Sequence, residues 1–189
     1  GADEVLAFQQ IDSAIVEIRR IEQLFTTFKT DSQTNLINNN AGIQAVKVDE
    51  EVFNLIERSL RISRITNGFF DITYGGVDKS LWNFDRSMTR LPDAETAKKL
   101  VYLINYQNVI LNRENSTVYL KEKGMRIGFG GIGKGYAAEM AKNVLQKQGV
   151  GSGIINASGD LTVWGTQADG KPWTIGIANP DQALSLIHI

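Results

Sequence analysis

Residues 128–135 read Gly-Phe-Gly-Gly-Ile-Gly-Lys-Gly, between a predicted strand and a predicted helix. Glycines let backbone N–H groups approach an oxyanion without interference from Cβ atoms. The N-terminus of the following helix adds roughly half a positive charge, and Lys134 adds a full one. The segment therefore predicts a turn that binds phosphate, while the structural alternative is a tight connection between strand and helix.

Two nucleotide-binding patterns fit this turn in part. Gly128, Gly133 and Lys134 have P-loop spacing, but Gly135 stands where a serine or threonine hydroxyl should hold magnesium. Gly128, Gly130 and Gly133 also have the spacing of the dinucleotide-binding pattern G-x-G-x-x-G. This motif, however, does not open an alternating βαβ series. A P-loop nucleotide hydrolase and a dinucleotide-binding protein both stay open as alternatives at this point.

The elements before the turn are predicted from apolar periodicity and capping residues. Apolar residues at three- and four-residue spacing predict a long amphipathic helix over 3–29. The polar stretch Thr30–Gly42 predicts a loop, and Asp49 is expected to cap a second helix that closes at Asn67-Gly68. A third short helix is predicted over 93–101, with Asp93 as its N-cap and Pro92 before it.

The second half of the chain is predicted to be rich in strands. Asn108–Asn112 and Thr117–Lys121 suggest a hairpin, and Gly149 is expected to end the helix that follows the glycine turn. Helices first and mainly sequential strands later predict an α+β fold with a mainly antiparallel sheet. The other predicted strands are Met125–Phe129, Ser152–Ala157, Leu161–Thr166 and Trp173–Ala178, the last two joined as a hairpin through Ala168-Asp169-Gly170.

The composition excludes several functional classes. The 189 residues carry a net charge of −1 with interspersed signs, so no basic surface for nucleic acid or anionic lipid is expected. No apolar run reaches the ~20 residues that span a bilayer, and the first residues have no signal-peptide pattern. The sequence contains no cysteine, which excludes disulfides and thiolate chemistry.

The C-terminal residues 184–189 follow no structural pattern and contain the single histidine, His188. Their sequence is what a transposase-end sequencing adapter encodes in frame. We therefore predict that residues 1–183 form a single domain and that 184–189 are a non-native tail. Without His188 the chain has no imidazole, which excludes Ser-His-Asp catalysis.

Several blocks, in order along the chain, resemble the ApbE family of flavin transferases. One extends over Gly130–Asp160, GGIGKGYAAEMAKNVLQKQGVGSGIINASGD. The others are Phe25–Asn38 (FTTFKTDSQTNLIN), Thr66–Val77 (TNGFFDITYGGV) and Leu81–Phe84 (LWNF). The resemblance covers about Val5 to Pro180, and ordered blocks are more specific than one glycine pattern. It implies an ApbE-like, T-fold-like architecture.

The resemblance implies an FAD:protein FMN transferase. Such an enzyme binds FAD and Mg²⁺ and moves FMN to a threonine hydroxyl of a partner protein, with release of AMP. It further implies an acceptor in a membrane redox complex and a periplasmic, lipoprotein-anchored enzyme of the bacterial cell envelope. A flavin-binding protein without transfer activity is the alternative, because two site positions depart from the family pattern.

The resemblance also assigns the site residues. Phe28 replaces the usual flavin-facing tyrosine, Gly128 stands where an FAD-contacting aspartate is common, and Ser158 replaces a glycine in the second turn, Asn156–Asp160. The implied metal contact is the carbonyl of Gly131. The residues assigned to FAD are Phe28, Phe69, Phe70, Asp71, Gly128 and Lys134.

Two parts of the family pattern are expected to lie outside this chain. An N-terminal strand would precede Val5, and a metal-binding aspartate and threonine would follow Ala183. We therefore expect a chain cut short at both ends, with an incomplete magnesium site, no activity by itself and uncovered sheet edges that favour aggregation.

Overall fold

A computed structural model describes residues 3–75, 93–178 and 186–188. The chain divides into two compact units. We call Arg20–Gly133 the central unit, and Gly1–Arg19 with Lys134–Ile189 the terminal unit. The predictions of a single domain and of a non-native tail stay predictions. The Leu81–Phe84 block and Pro92 lie outside the described residues.

The described residues form helices and antiparallel sheets, so the α+β prediction is confirmed. The helices are α1 Glu4–Phe25, α2 Gln33–Asn39, α3 Glu50–Ile65, α4 Ala94–Val101 and α5 Gly133–Lys147, with a 3₁₀ turn at Tyr106–Asn108. The strands are β1 Val46–Lys47, β2 Val109–Asn112, β3 Thr117–Leu120, β4 Gly153–Ala157, β5 Asp160–Trp164, β6 Gly176–Ala178 and β7 Leu186–His188.

Helix α1 confirms the long amphipathic helix predicted from the spacing. The carboxylate of Asp3 accepts a hydrogen bond from the backbone N–H of Leu6 at 3.1 Å, which caps the helix start. In the central unit, the end of α1 buries Ile21 and Phe25. The helix ends at Phe25, four residues before the predicted boundary.

The prediction of a loop over Thr30–Gly42 is wrong, because this segment contains helix α2. Ser32 caps the helix by accepting from the N–H of Asn35 at 3.1 Å. The amide of Asn35 donates to the carbonyls of Thr27 and Lys29 at 2.9 and 2.8 Å. Asparagine usually favours loops, but here its side chain satisfies buried backbone groups, which compensates for its low helix propensity.

Helix α3 is confirmed, but the capping role predicted for its first residue is wrong. Asp49 occupies the N-cap position without a side-chain cap, and its carboxylate accepts from the amide of Gln33 at 2.5 Å instead. The helix buries one apolar face and ends before Asn67 and Gly68, both at positive φ. The buried apolar residues are Val52, Phe53, Leu55, Ile56 and Leu60.

Helix α4 begins where the sequence predicts. The carboxylate of Asp93 accepts from the N–H groups of Glu95 and Thr96, both at 3.0 Å. The bond from the Thr96 N–H, assisted by its hydroxyl, lowers the pKa of Asp93 below its ordinary value. Asp93 is therefore a structural cap.

The central unit contains a three-stranded antiparallel sheet in the order β1-β3-β2. The hairpin of β2 and β3 is confirmed, with Val109 opposite Leu120. Val109, Val118 and Leu120 are buried, which places the core on one face of this sheet.

In the terminal unit, β4 and β5 form a hairpin around Ser158 and Gly159. The predicted hairpin between β5 and β6 is wrong, because β5 pairs with β4 and β6 pairs with β7. The turn before β6 exists, with the N–H of Gly170 donating to Gln167 at 2.9 Å. Directly after β5, Gly165 has φ 65°, and a Cβ atom there would lie 2.3 Å from the Gly151 carbonyl oxygen.

Candidate functional site

Two segments of the central unit pack side by side, and together they contain most of the predicted site residues. These are residues 69–75 and 125–131. Tyr74 and Arg126 form a parallel β-bridge, and the N–H of Gly128 donates to the carbonyl of Ile72 at 2.9 Å. A Cβ atom at Gly75 would lie 3.1 Å from the Arg126 carbonyl. The backbones are therefore in close contact where the glycine turn begins.

The predicted strand Met125–Phe129 is wrong, and a buried asparagine explains why. Apart from the single bridge at Arg126, this described segment joins no strand ladder. Asn38 accepts from the N–H of Ile127 at 2.7 Å and donates to its carbonyl at 3.1 Å. Asn38 is 5% exposed and Ile127 is fully buried. A side chain from α2 thus supplies the hydrogen bonds that a neighbouring strand would have made.

Close contacts explain Gly130, Gly131 and Gly133, and no glycine of residues 128–135 has a positive φ. A Cβ atom at Gly130 would lie 2.3 Å from the hydroxyl oxygen of Tyr74. At Gly131 it would lie 3.2 Å from the Phe70 ring, whereas at Gly135 it would meet no atom within 4 Å. Gly130 and Gly131 are exposed. Their backbone is accessible to a ligand while two aromatic rings hold it in place.

The three assigned phenylalanines lie in different environments. Phe70 is partly buried and contacts the turn at Gly131. Phe69 is 97% exposed and Phe28 is 89% exposed. The structure therefore brings Phe70 to the glycine turn, while Phe28 and Phe69 present aromatic surface to solvent.

Asp71 accepts more hydrogen bonds from within the chain than the sequence indicates. One carboxylate oxygen accepts from the N–H and hydroxyl of Thr73, at 2.8 and 2.6 Å. The other accepts from the N–H of Tyr106 at 2.9 Å. A carboxylate has about four acceptor positions, so about one is left for a ligand. The Asp-x-Thr spacing typical of an Asx turn was the available signal for this role.

In the terminal unit, Lys134 binds the second turn. Its ammonium lies 3.0 Å from the carboxylate of Asp160 and donates to the Ser158 carbonyl at 3.2 Å. Asn156 completes the turn by accepting from the N–H of Gly159 at 2.8 Å. Lys134 and Asp160 are both about half exposed, so the pair neutralises charge at a solvated surface. The predicted cation at the start of α5 is present, with an anion beside it.

Sequence reasoning missed Asn38 and Tyr74 at this site. Asn38 contacts a residue 89 positions away, and no local pattern reports such a partner. Tyr74 follows the predicted triplet Phe69–Asp71, but its contact with Gly130 depends on the packing of two distant segments.

The described residues do not by themselves form a magnesium site. Over the described ranges, no group of three or more acidic or histidine side chains could hold a metal ion. The carbonyl of Gly131 would supply one oxygen ligand, whereas magnesium prefers octahedral coordination. Among these residues, no helix combines the length and apolar character that a bilayer crossing requires.

Sequence comparison identifies the relatives of this chain. An FAD:protein FMN transferase of Klebsiella pneumoniae is 32% identical over 163 residues, which are 86% of this chain and 49% of that protein. A protein of the same name from Escherichia coli K12 is 25% identical, over 84% of this chain and 46% of that protein. The chain spans about half the length of the curated relatives it matches.

Structural comparison gives a consistent result. The ApbE protein of Thermotoga maritima matches with a TM-score of 0.82 and 29% identity, over 96% of this chain and 59% of that one. The Vibrio cholerae flavin transferase ApbE matches in fold, with a TM-score of 0.80 and 20% identity, over 99% and 59% of the two chains. The ApbE family model matches residues 3–189, and the chain belongs to the ApbE family.

Proposed function

We propose that this protein, at the full length of its relatives, is an FAD:protein FMN transferase. The observation that carries the proposal is the packing of residues 69–75 against 125–131. This packing sets the Phe70 ring beside the exposed backbone of Gly131. Family membership and the transferase names of the relatives support the same function. They do not favour a nucleotide hydrolase.

The proposed reaction is a phosphoryl transfer. The hydroxyl oxygen of an acceptor threonine attacks the phosphorus on the FMN side of the FAD pyrophosphate. The bond from that phosphorus to the bridging oxygen breaks, and AMP leaves with this oxygen. The hydroxyl proton is taken up by the AMP phosphate or by water. Such a transfer requires charge neutralisation and in-line positioning more than covalent catalysis by the protein.

Residues of the chain can meet part of these demands. We assign the exposed rings of Phe28 and Phe69 to stacking on the flavin, since flat aromatic surfaces bind ring systems well. The remaining acceptor position of Asp71 can receive a donor from FAD. The backbone N–H groups of Gly130 and Gly131 and the ammonium of Lys134 would interact with phosphate oxygens. Gly128, which the resemblance assigns to FAD, is buried and donates its N–H to the Ile72 carbonyl.

We propose that the reaction requires magnesium, with the Gly131 carbonyl as one ligand. When bound, the ion would neutralise pyrophosphate charge. Because the described residues do not complete a metal site, no residue-specific step through the metal is assigned. A magnesium titration of full-length protein stripped with EDTA tests the requirement, and full activity without any divalent ion would contradict it.

We also propose an acceptor and a location, both on the basis of family resemblance. The acceptor would be a subunit of a membrane redox complex that carries the target threonine. The enzyme would lie on the periplasmic face of the bacterial envelope, anchored as a lipoprotein. Fractionation of cells, followed by detection of the protein in envelope and cytosol, tests the location, and a protein confined to the cytosol would contradict it.

The transferase activity is tested with full-length protein, FAD, magnesium and a candidate acceptor. We expect AMP release in equal amount to flavin fluorescence that stays on the acceptor in a denaturing gel. An acceptor whose target threonine is replaced by valine serves as the control and should stay unlabelled. FAD that binds but stays intact would favour a flavin-binding protein, and binding of ATP in preference to FAD would favour a nucleotide hydrolase.

A further inference from the structure

The hydroxyl group of Tyr74 lies directly over the glycine turn. Its oxygen would be 2.3 Å from a Cβ atom at Gly130 and 3.7 Å from one at Gly128. The hydroxyl therefore faces the backbone of the turn from the segment that also contains Phe70 and Asp71. Resemblance to the family did not assign Tyr74 to the site.

The backbone of Tyr74 is held beside the glycine turn. Tyr74 pairs with Arg126 in the parallel bridge, and its N–H donates to the Asp71 carbonyl at 3.4 Å. The neighbouring Gly75 has no free space against the Arg126 carbonyl. Tyr74 is 40% exposed, and its hydroxyl makes no hydrogen bond within the part of the chain that the structure describes. A polar group held over an accessible turn is thus available to a ligand.

Packing alone does not explain this hydroxyl. Phe70 covers Gly131 with an unsubstituted ring, at 3.2 Å from the Cβ position. A phenylalanine at position 74 could cover Gly130 in the same way, because the next ring atom, Cζ, would be 3.6 Å from a Cβ there. The hydroxyl oxygen adds no internal hydrogen bond among the described residues, and a side chain at position 130 would have to displace it.

We propose that Tyr74 is a nucleotide-binding residue whose hydroxyl donates a hydrogen bond to a phosphate oxygen of FAD. This inference rests on the proposed function, since FAD is the ligand of that reaction. A phenolic hydroxyl can donate a hydrogen bond to an anion. Gly128 is buried and has no side chain, and the Tyr74 hydroxyl lies 3.7 Å from its Cβ position, so Tyr74 brings a polar side-chain group to this part of the turn.

The test is Tyr74→Phe in the full-length protein, with FAD affinity measured by flavin fluorescence. Loss of one hydrogen bond to a charged group should weaken FAD binding roughly tenfold or more. The unfolding temperature should not change, because the hydroxyl has no internal partner among the described residues. Tyr102→Phe is the matched control, since Tyr102 is 69% exposed at the end of α4, and it should bind FAD like the wild type.

A second set of variants checks the hydroxyl position without any ligand. Gly130→Ala should lower the unfolding temperature, since its Cβ would meet the Tyr74 oxygen at 2.3 Å. In the Tyr74→Phe background the same change should be tolerated, because the nearest ring atom would be 3.6 Å away. Gly135→Ala, with no atom within 4 Å, serves as the control. A Gly130→Ala cost that is the same in both backgrounds would contradict the placement.

The outcomes separate this inference from the proposed function. If the wild type releases AMP and Tyr74→Phe binds FAD with unchanged affinity, only the role of Tyr74 is overturned. If the wild type binds FAD without releasing AMP, the transferase proposal fails, while weaker FAD binding by Tyr74→Phe still supports the hydroxyl contact. A wild type that binds no FAD overturns both.

Discussion

The two glycine turns of this chain use glycine for different physical reasons. In the turn over 128–131 no residue has a positive φ, and the hydroxyl of a neighbouring tyrosine occupies the Cβ position of Gly130. In the hairpin turn of β4 and β5, Ser158 and Gly159 have φ 54° and 98°, and no atom lies within 4 Å of a Cβ at Gly159. In the first turn, glycine leaves the Cβ position free for a neighbouring side chain. In the second turn, glycine permits a left-handed backbone conformation.

This difference determines what each turn depends on. The first turn is held by distant residues, since Asn38 binds Ile127 and Tyr74 covers Gly130. The second is held locally, because Asn156 accepts from the N–H of Gly159 three residues later. Substitutions at distant positions should therefore damage the first turn, whereas the second should respond to changes within its own hairpin.

The largest effect is expected for Asn38→Ala. The change removes both hydrogen bonds to Ile127 and leaves a buried N–H and a buried carbonyl without partners. Each unsatisfied group costs about 1–3 kcal/mol, so for the two groups we expect a loss of roughly 2–6 kcal/mol in the free energy of unfolding. Denaturant unfolding followed by circular dichroism measures it.

The adjacent Asn39 provides the matched control for that substitution. Asn39 also lies in α2 but is exposed, so Asn39→Ala should change the free energy of unfolding by less than about 0.5 kcal/mol. Alanine has a higher helix propensity than asparagine, so helix propensity cannot account for a loss in either variant. An equal loss in both variants would therefore contradict a specific contribution of the Asn38–Ile127 contact. The conclusion that a distant residue, Asn38, holds the first turn would then be wrong.

A smaller effect is expected for Gly159→Ala in the second turn. An alanine at φ 98° must adopt a backbone conformation that L-residues disfavour, at a cost of roughly 1–2 kcal/mol in unfolding free energy. Gly151→Ala is the control, because Gly151 has no atom within 4 Å of its Cβ position and no positive φ. If thermal unfolding shows equal stability for both variants, the left-handed requirement in this turn is refuted.

Local patterns in the sequence predict the parts of the fold that local physics determines. The α1 and α3 helices, the β2-β3 hairpin and the cap at Asp93 follow from periodicity and capping residues, and the structure confirms them. Helix α2 escaped prediction because its asparagines make contacts with carbonyls outside the helix. The Met125–Phe129 strand was wrong because Asn38 takes the place of a partner strand.

The candidate site shows the same division. Motif resemblance found Phe70, Asp71 and the glycine turn, because each of them belongs to a short motif of consecutive residues. It missed Tyr74, whose importance arises only where two segments about 55 residues apart pack together. It also gave Lys134 a single role, whereas the structure pairs Lys134 with Asp160.

The smallest effect on stability is expected for the Lys134–Asp160 pair. Variants of this pair also test whether Lys134 binds FAD or only stabilises the second turn. Both side chains are about half exposed, so Lys134→Gln and Asp160→Asn should each change the unfolding free energy by less than about 1 kcal/mol. Their effects on FAD should be opposite. Lys134→Gln removes a cation and should weaken FAD binding about tenfold, since a hydrogen bond to a charged group is lost. Asp160→Asn releases the ammonium from its anion and should maintain or strengthen binding. If both variants weaken FAD binding equally, the pair acts only by holding the turn, and Lys134 is not a phosphate ligand.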